Sequence, residues 1–166
     1  MFQIGDKVSH PRIGACIVTS ITEQNFLNEI KQYYILSSIV EPDSEIYIPV
    51  ENAENIGVRS LISEEEANAL LSSLPRKQEP WISDSNARKK KLIEINSDNS
   101  VDTLPSLLAA IQSILLRETE KPLGSSDKEM LNMMRNKAFS EIALAKDLEL
   151  DDVIVQAEQV MLTLAS

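Results

Sequence analysis

SEEEANALLSSLP, residues 63–75, is the stretch where the chain changes period. Ser63 and Glu66 have capping-box spacing, and Glu64, Glu65 and Glu66 fall in a first turn, where the helix dipole favours acids. Ala67, Leu70, Leu71 and Leu74 then recur at i, i+3, i+4 and i+7, which predicts an amphipathic helix ended by Pro75. Nothing before this point has that period.

Residues 1–62 instead show short β-prone runs between turn signals. Phe2, Ile4 and Val8 flank Gly5-Asp6, His10-Pro11 and Gly14 follow, and Ala15 to Ile21 (ACIVTSI) is a strand pattern. Tyr33 to Leu36 and Ile46 to Val50 supply further strands, with Pro49 suited to a strand end or an edge. Val58 and Leu61 supply a last one. Three of the chain's four glycines (Gly5, Gly14, Gly57) lie in this part, where tight turns need them. The pattern predicts a small antiparallel barrel.

After residue 75 the helical period persists. A helix capped by Asp84 or Ser83 runs to about Ser97 with Ala87, Leu92 and Ile95 inward. The next starts near Thr103, takes Pro105 in its first turn, and buries Leu104, Leu107, Leu108, Ile111, Ile114 and Leu115. Ser126 with Glu129 reads as a second capping box, opening a helix that carries Met130, Leu131, Met134, Ala138 and Ile142. Asp151 reads as the cap of the last helix. The expected architecture is α+β and multidomain: a small barrel over residues 1–62, then an all-α domain of about five helices over 63–166.

Composition narrows the function classes. The formal net charge is −10, which argues against unassisted attraction to nucleic acid. Leu104 to Leu116 is too short and too interrupted to span a bilayer, and no signal peptide opens the chain. The single cysteine, Cys16, fits a reducing compartment and a small buried side chain. These features read as a cytoplasmic protein without a membrane partner. His10 has no neighbouring Cys or His for a metal site, and no phosphate-binding glycine motif is present. The expectation is a protein without catalysis, cofactor or metal.

Against the acidic background stands RKQEPWISDSNARKKK, residues 76–91, with six basic and two acidic residues and the only tryptophan. Trp81 suits either a core anchor of the helical domain or an apolar wedge between base steps in a minor groove. Arg88, Lys89, Lys90 and Lys91 suit either a solvated helix face or phosphate contacts that position a duplex without reading its sequence.

These residues resemble the CarD/CdnL family of bacterial transcription regulators. The likeness lies in Phe2 to Val8, His10-Pro11, Gly14, Tyr33 to Leu36, Ile48 to Glu54 and Gly57-Val58-Arg59. It continues through Trp81-Ile82, Asp84 and Arg88, Ser126-Asp127 before Met130-Leu131, and Ser140 to Ala145. The N-terminal motifs also resemble the Tudor-like domain of the Mfd repair translocase. The resemblance implies a Tudor-like barrel that binds the RNA polymerase β subunit through Gln24, Ile46, Tyr47 and Ile48. It further implies a helical domain that contacts promoter DNA at the upstream edge of the transcription bubble. Trp81 would then be the wedge that stabilises the open complex, and Arg88 to Lys91 would face phosphates.

The chain also departs from the family pattern. Gln24 and Tyr47 stand where actinobacterial relatives carry basic polymerase contacts, and Cys16 stands where many members have glycine. The Arg-Tyr pair that follows the tryptophan in those relatives is missing, and their Ser-Gly-Asp turn is Ser97-Asp98-Asn99 here. Residues 92–166 hold six basic against thirteen acidic residues. This balance supports the alternative of a protein-interaction adaptor on polymerase that does not touch DNA.

Overall fold

The computed structural model describes residues 1–165. The first part is an antiparallel sheet of β1 (Lys7–His10), β2 (Gly14–Phe26), β3 (Glu29–Ser38), β4 (Glu45–Pro49) and β5 (Arg59–Ser60), in the order β4-β3-β2-β1-β5. A one-turn helix, α1 (Ala53–Ile56), carries the chain from one edge strand to the other. Val8, Cys16, Val18, Tyr34, Leu36, Ile48, Ala53 and Val58 converge on one buried cluster, so the sheet wraps around a core of its own. Leu27 (φ 51°) and Asn28 (φ 66°) form the two-residue turn between β2 and β3, and both positive φ values match the strand twist. A bulge at Thr19 shifts the β2–β3 register between Val18 and Ser20.

The second part comprises α2 (Glu64–Ser72), α3 (Ser85–Ser97), α4 (Leu104–Glu120), α5 (Ser125–Lys146) and α6 (Leu150–Met161). Ser63 and Glu66 form the reciprocal capping box, and Asp84 caps α3 by accepting from the Asn86 N–H. Pro105 sits in the first turn of α4, whose buried side chains include the six expected ones. Two expected caps are absent. Helix α5 starts two residues earlier than a Ser126 cap requires, with Gly124 at the cap, and Asp127 of its first turn is taken by a tertiary ion pair. Helix α6 starts at Leu150, so Asp151 lies inside its first turn rather than before it.

Helix α5 is the hub: it packs against α2, α3, α4, α6 and β2. Its contact with the barrel explains Gly14. That residue has φ +86°, and an added Cβ would lie 2.5 Å from Ser140 Oγ and 3.1 Å from the Lys137 Cα. Neither a left-handed backbone nor so close a helix admits a side chain. In the same place the Ala15 N–H donates to Ser140 Oγ at 3.0 Å.

Polar groups complete the joint. Glu141, 1% exposed, accepts a bidentate pair from Arg59 (2.6 and 2.8 Å) and the Ile62 N–H at 3.0 Å. Asn99 Nδ2 donates to the carbonyls of Ser9 and Gly57, and Arg59 Nε donates to the Asn99 carbonyl. Lys7 Nζ reaches the Leu144 carbonyl at 3.2 Å.

Lys137 lies beneath this joint, 3% exposed, and donates to the Asn96 carbonyl. Burial, reinforced by Arg59 and offset in part by Asp98 and Glu141, pushes its ammonium down to about 8. A lowered folded-state value means that the cost of burying the charge is fully present below about pH 8 and disappears as pH rises to 10.5, the ordinary lysine value. Relative to Lys137→Met, the natural chain therefore gains up to about 3 kcal/mol between those limits, at ~1.4 kcal/mol per pH unit. Urea unfolding of both chains at pH 7.5, 9 and 10.5 measures this; a pH-independent difference contradicts it.

Candidate functional site

Trp81 sits in an extended loop between α2 and α3, and three side chains fix that loop. Gln112 of α4, 2% exposed, accepts the Arg76 N–H at 2.8 Å and donates to the Arg76 carbonyl at 2.7 Å, clamping the entry. Asp84 caps α3 at the exit. Arg88 Nη1 donates to the Ile82 carbonyl at 2.7 Å, while its Nε and Nη2 grip Asp127 of α5, each at 2.9 Å. The entry is tied to α4 and the exit to α5.

The indole is half-buried against the helical core, so it is neither sealed in the bundle nor free in solvent. Two guanidinium carbons lie over its ring, Arg88 Cζ at 4.5 Å and Arg117 Cζ at 5.4 Å from the centroid. Such stacking holds a ring without enclosing it. Beside it opens a cavity of about 230 Å³ lined by Leu92, Ile95, Ala110 and Ile114 among others.

The four basic residues at 88–91 separate into two kinds. Lys89, Lys90 and Lys91 are exposed, and Lys91 lies 3.9 Å from Glu79, a surface pair worth little. Arg88 is different: its side chain is 13% exposed and its fork is turned onto Asp127. It positions the Trp81 loop. Sequence reasoning missed Arg117, Gln112 and Asp127. Each lies at least 30 residues from Trp81 in the chain, so only the packing of α4 and α5 brings them near.

The second group of expected contacts lies on the barrel. Register pairs Ile35 with both Ser20 and Tyr47, and Gln24 with Lys31. By strand alternation, Gln24 and Tyr47 therefore share the outer face of the sheet, and both are exposed. Ile46 and Ile48 alternate to the other face and pack on the barrel core. Strand β4 is an edge, so these two isoleucines offer a partner their backbone more than their side chains. At the tip of the β2–β3 hairpin, Phe26, Leu27 and Ile30 are 65%, 85% and 70% exposed.

Among the described residues, no group of three or more His, Cys, Asp or Glu is placed to hold a metal ion. None of their helices is long and apolar enough to cross a membrane. Cys16 is buried in the barrel core, where desolvation pushes its thiol up to about 12. His10 is also buried, its Nδ1 accepting the Arg12 N–H. Desolvation, then Arg12 and Lys137, lower its imidazole below the ordinary histidine value.

Comparison with known proteins agrees with this architecture. Residues 2–62 match the CarD-like/TRCF RID domain family. The chain is also similar to "Putative transcription factor YdeB" of Bacillus subtilis (strain 168), 25% identical over 151 residues, covering 88% of this chain and 93% of that protein. Together the two likenesses support a CarD-like family.

Proposed function

We propose that this CarD-like protein is a transcription regulator that docks on the RNA polymerase β subunit and steadies promoter DNA at the upstream edge of the transcription bubble. The division of labour follows the two parts, residues 1–62 for docking and 63–166 for DNA. The observation that carries the reading is the half-buried indole of Trp81, stacked by Arg88 and Arg117 beside the exposed run Lys89 to Lys91. An aromatic plate flanked by cations suits a partly unstacked base step and its phosphates.

Docking resolves the conflict with the net charge of −10. A polymerase-bound barrel raises the effective concentration of DNA around the helices, so contacts too weak to act alone become occupied. Away from polymerase the acidic surface keeps the protein off DNA. The protein then works in the cytoplasm, on the nucleoid, wherever polymerase carries it. Gln24 and Tyr47, on one exposed face, with the β4 edge at Ile46 and Ile48, form the docking surface. The role needs no catalysis and no cofactor.

Footprinting of polymerase–promoter complexes with and without the protein tests the reading. Altered reactivity at the upstream bubble edge is expected. Replacing Lys89, Lys90 and Lys91 together by alanine lowers the salt dependence of the effect by about 2 to 3 in log–log slope, at ~0.9 per phosphate contact. An unchanged footprint with polymerase binding retained would instead favour an adaptor that recruits another protein. The acidic excess over residues 92–166 is the observation that favours this second reading.

A further inference from the structure

The cavity beside Trp81 has walls, a size and a mouth that together describe an occupant. Its floor is apolar: Leu92 and Ile114 are buried there, with Ile95 and Ala110 half-buried beside them. Trp81 and the planar Arg88 guanidinium stacked on it supply an aromatic wall. At about 230 Å³ it exceeds the ~150 Å³ of an engineered apolar cavity that takes benzene. It falls short of the roughly 300–1,000 Å³ that encloses a drug-sized molecule. One bicyclic ring system therefore fits, and anything attached to that ring lies at the mouth.

The mouth is cationic. Arg76, Arg88 and Lys91 line the cavity against the single acid Glu79, on a chain whose net charge is −10. Arg88 is spent on Asp127 and the Ile82 carbonyl, and Lys91 lies 3.9 Å from Glu79. Arg76 is different: its clamp to Gln112 uses backbone atoms only, and its half-buried guanidinium pairs with none of the described residues. Ser106 and Ser113 of α4 also line the wall, and neither hydroxyl is bonded to a described residue. A hydroxyl can donate or accept, so the two can meet the polar edge of a heterocycle.

We propose that this cavity binds a single purine nucleotide, with the base against Trp81 and the apolar floor and the phosphate at Arg76 and Lys91. Size selects the base, the indole–guanidinium stack suits its π system, and the unpartnered Arg76 suits its phosphate. A larger aromatic exceeds the volume, and an aliphatic chain leaves the serine hydroxyls and the cations unused. A free nucleotide and an unpaired nucleotide of a melted strand offer the same chemistry. The assignment depends on the cavity alone and not on docking to polymerase. Its consequence does rest on the proposed function: a free nucleotide in the cavity competes with promoter DNA for Trp81, which makes open-complex lifetime sensitive to nucleotide level.

Because Trp81 is the only tryptophan, its indole N–H gives a single magnetic-resonance signal that reports on the cavity in the full chain. Adenosine monophosphate is expected to shift that signal saturably. Adenosine is expected to bind about tenfold more weakly, the scale of one charge-assisted contact, and inorganic phosphate to leave the signal in place. Arg76→Gln is expected to bring the monophosphate down to the affinity of adenosine. Ala110→Phe, which fills the cavity from α4, is expected to remove both responses. The urea midpoint of each variant is measured alongside; Arg76→Gln alters only an unpartnered side chain and decides the matter if Ala110→Phe unfolds. The proposal is overturned if the monophosphate gives no saturable shift, if inorganic phosphate shifts the signal equally, or if either variant, folded, keeps full affinity. A short single-stranded oligodeoxyadenylate separates the two sources. Binding tighter than that of the monophosphate assigns the cavity to a melted strand, and weaker binding assigns it to a free nucleotide. Failure of the proposed function shows elsewhere, as an unchanged promoter footprint, and leaves these titrations unaffected.

Discussion

Trp81→Ala shortens the lifetime of the open promoter complex about tenfold or more and leaves the affinity for polymerase unchanged. Base–aromatic stacking is worth ~1–3 kcal/mol, and 1.4 kcal/mol corresponds to a factor of ten in lifetime. Affinity is expected to hold because the indole belongs to the α2–α3 loop, tied to Gln112 and Asp127 through Arg76 and Arg88 and not to the sheet. The substitution also exposes part of the helical core and frees Arg117, so some stability is lost. For a half-buried ring that loss stays below the ~3–5 kcal/mol of a fully buried tryptophan. Trp81→Phe separates the two effects: it keeps a stacking plate and most of the packing, and is expected to restore most of the lifetime. Parallel loss of lifetime and polymerase affinity would contradict the assignment, as would an unchanged lifetime in a folded Trp81→Ala chain.

Glu141→Ala is expected to be the most destabilising single change described here, at about 3–5 kcal/mol, the range for removing one partner of a buried ion pair. It leaves the Arg59 guanidinium with carbonyl partners only, Asn99 and Ser60, and no counter-charge, and the Ile62 N–H without its acceptor. Domains of this size have a total stability of ~5–15 kcal/mol, so the variant is left marginal. Removing both charges, as Arg59→Met with Glu141→Leu, is expected to recover much of the loss, because the cost lies in the orphaned charge more than in the missing pair. Urea unfolding followed by fluorescence and by circular dichroism measures both. A single variant within about 1 kcal/mol of the natural chain contradicts the assignment of Glu141 as the central latch between barrel and helices. A latch broken without global unfolding has a second signature: polymerase binding survives on the barrel while the promoter effect falls, since Trp81 no longer has a fixed position relative to β4.

The two halves differ in how they were legible. Short β-prone runs separated by turn signals, Gly5, Gly14 and Gly57 among them, announced the strands, and all three glycines adopt positive φ. The 3.6 period after Ser63 announced the helices, and the six apolar residues expected inward on α4 are buried. Caps were read less well. The Ser126–Glu129 box has the right spacing, yet Asp127 forms its strongest bond with Arg88, 39 residues away. A local motif of two exposed hydrogen bonds does not outweigh a bidentate tertiary ion pair.

Chemical types and their spacing along the chain are a property of sequence, because hydrophobic period and turn chemistry act between near neighbours. They determined a β module followed by helices, and one basic stretch carrying a lone tryptophan on an acidic chain. Which charges stay available to a partner was decided only in three dimensions. Arg88 and Lys89 are adjacent and equally basic in the chain, but α5 brings Asp127 to the first and leaves the second in water. Ile46 and Tyr47 are likewise neighbours that the sheet turns to opposite faces. Ser140 and Glu141 stood in a recognisable run, but their work, seating a helix on Gly14 and Arg59, depends on residues more than 80 positions earlier. Desolvation and ion pairing depend on distance in space, and the packing of α5 against β2 sets those distances.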